Sequence, residues 1–92
     1  MAEVLTEARQ VQGQRAAIGN RGALGGGCGC FHCLGQFRAE RVTAWTDDGQ
    51  TALCPLCGMD AVVPAEALQL GLAELEALKR RWFKPPHERT TA

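Results

Sequence analysis

Residues 30–33 read Cys30-Phe31-His32-Cys33, and residues 54–58 read Cys54-Pro55-Leu56-Cys57-Gly58. Each stretch holds two cysteines with two residues between them, and twenty residues separate the two pairs. Paired cysteines at this spacing are the signature of a zinc site. Two intervening residues let a tight turn aim both sulfurs inward while backbone N–H groups donate to them. Pro55 fixes φ after Cys54, and Gly58 permits a strained backbone after Cys57. A tetrahedral ion needs two such claws, so the fold must bring Cys30 and Cys33 to Cys54 and Cys57. The competing readings are four reduced core cysteines or two disulfides, and the latter require an oxidising compartment. Four thiolates suit zinc or a single iron, and zinc is the expectation, as one structural ion.

The rest of the chain explains why a metal would be needed. Ninety-two residues make one domain at most. The apolar share is 46%, but Ala and Cys supply much of it, and the large aromatics are three Phe and two Trp with no Tyr. Eleven Gly add chain entropy that folding must overcome. A bound ion would make up the shortfall. No run of about 20 apolar residues is present, so no membrane span is expected. The first residues lack a basic flank followed by an apolar stretch, so no signal peptide is expected either. The cytoplasm is therefore the expected compartment.

Net charge is zero but unevenly spread. Residues 1–27 sum to +1, residues 28–78 to −5 and residues 79–92 to +4. An acidic body repels phosphate, which leaves only the C-terminal stretch as a nucleic-acid surface. There Lys79, Arg80, Arg81 and Lys84 interleave with Trp82 and Phe83. The alternative account of these cations is electrostatic: basic side chains at a helix C-terminus complement its dipole.

Local patterns predict an organisation. Residues 1–29 are an N-terminal arm and Gly-rich linker, the arm helical only where something packs on it. Residues 30–84 form the zinc domain, and residues 85–92 a tail. Phe37, Arg41, Val42 and Trp45 share a helical face, stopped by Asp47-Asp48-Gly49. Thr51-Ala52-Leu53 and Ala61-Val62-Val63 read as strands of a hairpin around the second claw. Pro64 opens a long helix over residues 65–83, with Leu68, Leu72, Leu75, Leu78 and Trp82 as its apolar stripe, ended by Pro85-Pro86. The expected class is a small α+β domain of zinc-ribbon or treble-clef type: two knuckles, a short hairpin and two helices.

Other reactive residues carry less. Cys28 sits in the linker and reads as a spare thiol, with a ligand role or oxidative dimerisation as alternatives. His32 should point away from the metal, and His87 belongs to the tail. A closed four-cysteine site leaves no open position for water, and the two His are not paired for general-base work, so no catalysis is expected. Asp47, Asp48 and Asp60 read as turn residues.

The claw Cys54-Pro55-Leu56-Cys57-Gly58 is similar to the second knuckle of rubredoxins, but Leu34 follows Cys33 where rubredoxins have Gly, and their aromatic cage is missing. The whole stretch over residues 30–83 resembles a group of small bacterial cytoplasmic proteins. The shared positions are Cys30, Cys33, Phe37, Trp45, Asp47, Gly49, Thr51, Ala52, Cys54, Pro55, Cys57, Gly58, Asp60, Trp82 and Phe83. The resemblance implies a zinc fold and a cytoplasmic location and says almost nothing of activity.

Three functions follow as expectations. The first is a protein-interaction module with structural zinc and an unidentified protein partner, as a monomer or weak dimer. The alternative is nucleic-acid binding through Lys79, Arg80, Arg81 and Lys84. The least supported is an iron electron carrier.

Overall fold

The computed structural model describes residues 5–83. Lys84, the prolyl stop at Pro85 and Pro86, and the expected tail with His87 lie outside the described residues. Helix α1 spans Glu7–Ala16, and the Thr6 hydroxyl caps it by accepting from the Arg9 N–H at 3.3 Å. Strands β1 (Gly27–Cys30), β2 (Gln36–Arg38), β3 (Trp45–Thr46), β4 (Thr51–Ala52) and β5 (Val62–Val63) follow, then helices α2 (Ala65–Leu68) and α3 (Leu72–Trp82). The class is the expected small α+β. Two antiparallel sheets form, one ordered β2-β1-β5 and the other β3-β4.

The stretch expected as a Gly-rich linker runs into the central strand. Gly-Cys-Gly-Cys alternates faces, and its glycines admit a helix at close range. A Cβ on Gly29 would lie 2.8 Å from Cδ1 of Leu75 and 3.4 Å from Cβ of Ala65. Only a residue without a side chain lets α3 and α2 approach this strand.

The N-terminal arm is helical and packed on α3. A Cβ on Gly13 would meet the Leu78 methyls at 2.9 Å, and Leu5 and Ala17 are buried. Asn20, itself buried, fastens this segment to both sheets. Its Nδ2 donates to the carbonyls of Ala16 at 3.0 Å and Val62 at 2.8 Å, and its Oδ1 accepts from the Ala52 N–H at 3.1 Å. Hydrophobic periodicity does not reveal such a contact, because the contact face is made of Gly and Ala.

Three local expectations are corrected. Residues 37–47 form no α-helix. Phe37 pairs with Cys28 in the β2–β1 ladder, a 3₁₀ turn covers Ala39–Arg41, and Trp45 pairs with Ala52. Asp47, Asp48 and Gly49 all take positive φ (+54°, +56° and +81°), which makes the turn of a β3–β4 hairpin rather than a helix stop. Second, the strands flanking the second claw do not pair with each other. β4 takes β3 as partner, and β5 takes β1.

Third, the long helix breaks. Gln69 adopts left-handed φ/ψ of 58° and 47°, and the Leu70 N–H turns back to the Ala65 carbonyl at 2.8 Å. Burial of Leu70 accompanies this break. Glu74 then caps α3 by accepting from the Gly71 N–H at 2.8 Å. Within the expected stripe Leu75 and Leu78 are fully buried, but Leu72 is 51% and Trp82 37% exposed. Leu75 and Leu78 lie on Gly29 and Gly13, in one core cluster with Val42 against which Phe37 and Trp45 pack. Trp45 also stacks under the Arg21 guanidinium, 5.1 Å from the ring centre. Among the described residues no helix is long and apolar enough to cross a membrane.

Candidate metal centre

The two claws share one geometry. In the first, the Leu34 N–H donates to the Cys30 carbonyl at 2.8 Å, and the Cys30 N–H to the Gly35 carbonyl at 3.0 Å. In the second, the Gly58 N–H donates to the Cys54 carbonyl at 2.9 Å, and the Cys54 N–H to the Met59 carbonyl at 2.9 Å. The residue after the second cysteine is left-handed in both, at φ +67° for Leu34 and +82° for Gly58. Leu34 thus takes the left-handed conformation that Gly58 takes in the second claw. Backbone N–H groups point at the sulfurs: His32 to Cys30 Sγ at 3.4 Å, Gly35 to Cys33 Sγ at 3.4 Å, and Leu56 to Cys54 Sγ at 3.3 Å.

Strand pairing then joins the claws. Cys30 ends β1, and its partner across the ladder is Val62 of β5, the strand that follows the second claw. The four sulfurs of Cys30, Cys33, Cys54 and Cys57 lie within 4.8 Å of one another. Cys30 and Cys57 are 3.7 Å apart, as are Cys33 and Cys54. These are not disulfides, whose sulfurs stand ~2.05 Å apart. They do match the edges of a tetrahedron with metal–sulfur bonds of ~2.3 Å, which are ~3.8 Å long. Donor chemistry and spacing therefore both fit one thiophilic ion. Cys30 and Cys54 are buried, while Cys33 and Cys57 face solvent.

Burial and hydrogen bonding push the thiols apart in acidity. Burial pushes the Cys30 thiol far up, only partly offset by the N–H groups of Cys33 and His32. Burial also raises Cys57, with the neighbouring Cys33 and Cys54 adding to it. Burial works against Cys54 too, but donation from the N–H groups of Leu56 and Cys57 and from the thiols of Cys33 and Cys57 outweighs it. Cys54 is thus held below the ordinary thiol range. Two thiols raised by burial, Cys30 and Cys57, beside one held low make a cluster that a cation completes.

The remaining predicted residues are placed as follows. Cys28 lies outside the cluster, buried in β1, which agrees with a non-ligand thiol but not with its placement in a flexible linker. His32 does not turn away: its Nδ1 is 3.7 Å from Cys57 Sγ, and its ring meets Phe83 edge-on at 4.9 Å. Phe83 also packs on Phe31, with ring centres 5.6 Å apart. Lys79 Nζ donates to the His32 carbonyl. Arg81 donates to Gln10 Oε1 at 3.2 Å, lies 3.9 Å from Glu7 Oε2, and stands 4.9 Å over the Trp82 ring. Arg80 is exposed. The expected basic cluster is therefore divided: one cation faces the first claw and another faces α1.

Sequence reading missed a groove beside the second claw, about 430 Å³ in volume, lined by Gln36, Phe37, Arg38, Arg41, Pro55 and Leu56 among others. Leu56 at its rim is 60% exposed. The only signal in the sequence was a leucine at the claw tip, where contact with the metal does not require one. Comparison with protein-family models, with curated proteins and with solved structures gave no match, so what this centre does is argued from its own geometry.

Proposed function

We propose that this chain is a small cytoplasmic zinc protein of the bacterial kind its motif resembles, acting as a non-catalytic protein-interaction module. One structural zinc on Cys30, Cys33, Cys54 and Cys57 would hold the two sheets and α3 in register. The observation that carries this reading is the position of the groove. The second claw fixes Pro55 and Leu56 against β2, so the ion would shape a surface with an exposed leucine rather than an open coordination position. Zinc is preferred to iron because the aromatic cage of rubredoxins is missing from the sequence.

Two measurements test the reading together. Metal analysis of purified protein should find one zinc per chain, and a coloured, iron-loaded protein would favour electron transfer instead. Affinity capture from the native host should recover a protein partner with zinc-loaded chain and lose it with Leu56→Asp. Salt-sensitive DNA or RNA binding, abolished by replacing Lys79, Arg80, Arg81 and Lys84 with Gln, would replace this reading with the nucleic-acid one.

A further inference from the structure

We propose that Lys79 is a positioning residue for the metal centre, its ammonium offsetting the negative charge of the loaded site. The proposal rests on the metal-binding reading above. Lys79 lies on α3, 47 residues away in sequence from the first claw, yet its Nζ donates to the carbonyl of His32. His32 lies between two ligand cysteines, its own N–H donates to Cys30 Sγ at 3.4 Å, and its ring touches Cys57 Sγ at 3.7 Å. The ammonium is thus anchored on the backbone that carries the thiols.

A divalent ion with four thiolates holds a net charge of about −2. Residues 28–78 add an acidic excess. The contact is held from both sides. Phe83, four residues on, packs against Phe31 and His32, and the Leu78 methyls pack on Gly13. The α3 backbone that carries Lys79 is therefore held beside the first claw. Helix-dipole complementarity at α3 would be served equally by Arg80, which stays exposed and is without an acidic partner among the described residues. Outer groups that orient or balance a metal's ligands govern its affinity.

The test is competition for zinc against a chromophoric chelator. Lys79→Met should weaken zinc binding by roughly 10-fold, the lower end for loss of an outer-shell partner. Lys79→Arg, which keeps the charge, should stay within about twofold of wild type on the same scale. Lys79→Gln, which keeps a donor but not the charge, should behave like Lys79→Met and serves if the methionine variant does not fold. Arg80→Gln controls for net charge and should bind like wild type. Equal binding by wild type and Lys79→Met overturns the proposal. So does an equal loss in Lys79→Arg, which would make the contact one of shape alone, or an equal loss in Arg80→Gln, which would make it one of overall charge. Failure of the wild-type chain to bind zinc would instead overturn the reading of the four cysteines.

Discussion

Leu34 and Gly58 hold the same left-handed backbone, each one residue past the second cysteine of its claw. Gly takes this conformation freely, whereas a leucine pays ~1–2 kcal/mol for it. A Cβ on Gly58 would meet no atom within 4 Å, so Gly58→Ala should cost about 1–2 kcal/mol through backbone conformation alone. Leu34→Gly should relieve the same strain and so cost less than the ~2–5 kcal/mol of an ordinary buried-leucine deletion. Denaturant melts at fixed free zinc would show both effects.

Single Ser replacements at Cys30, Cys33, Cys54 and Cys57 should each lose metal and folding together. The binding energy of a structural zinc is folding energy, on the order of 10 kcal/mol. Cys28→Ser should keep the metal. Metal content measured beside circular dichroism checks this, and a Cys28→Ser protein without zinc would refute the ligand set.

Cys28 also carries a pH prediction. Burial raises its thiol pKa, and the charges of Glu40 and Glu66 raise it further. The unfolded chain therefore loses this proton at lower pH than the folded one. The stability contribution is intact below the ordinary thiol pKa and is lost as pH rises from there towards the folded value. Melts of the zinc-loaded protein should show this alkaline loss, and Cys28→Ser should reduce it. Alkylation at neutral pH should spare Cys28 until the fold opens.

The N-terminal segment should behave as core. Asn20→Ala strands the Val62 carbonyl and the Ala52 N–H, at a cost of about 1–3 kcal/mol for each buried group left unpaired. Amides of α1 should exchange slowly in the loaded protein. Rapid exchange there would mean that α1 does not hold its place on α3 in solution.

The four clustered cysteines were legible because their spacing is a chemical constraint that survives any fold. The class and the presence of α3 were legible too, through Leu75 and Leu78. The docking of α1 was not, since Gly13, Ala16 and Ala17 make a contact by absence of bulk rather than by an apolar stripe. Nor was the extended path of residues 36–46. Phe37, Val42 and Trp45 fit a helical period, yet Phe37 pairs with Cys28 and Trp45 with Ala52. Gln69 gives no signal at all for its left-handed turn; Leu70 draws it by turning inward.

The pairing of β1 with β5 bears on how the chain is made. Gly29 and Cys30 meet Val63 and Val62, partners from opposite halves of the sequence. During synthesis the first claw emerges before the strand that shelters it and before Cys54 and Cys57 have been translated. Non-local pairing of this kind is slow and late. For that interval Cys30 and Cys33 form half a chelate, open to oxidants and to stray metals. The four-cysteine cluster thus closes only after translation of the second claw, and a ribosome stalled ahead of Val63 would hold a nascent chain without the β1–β5 pairing.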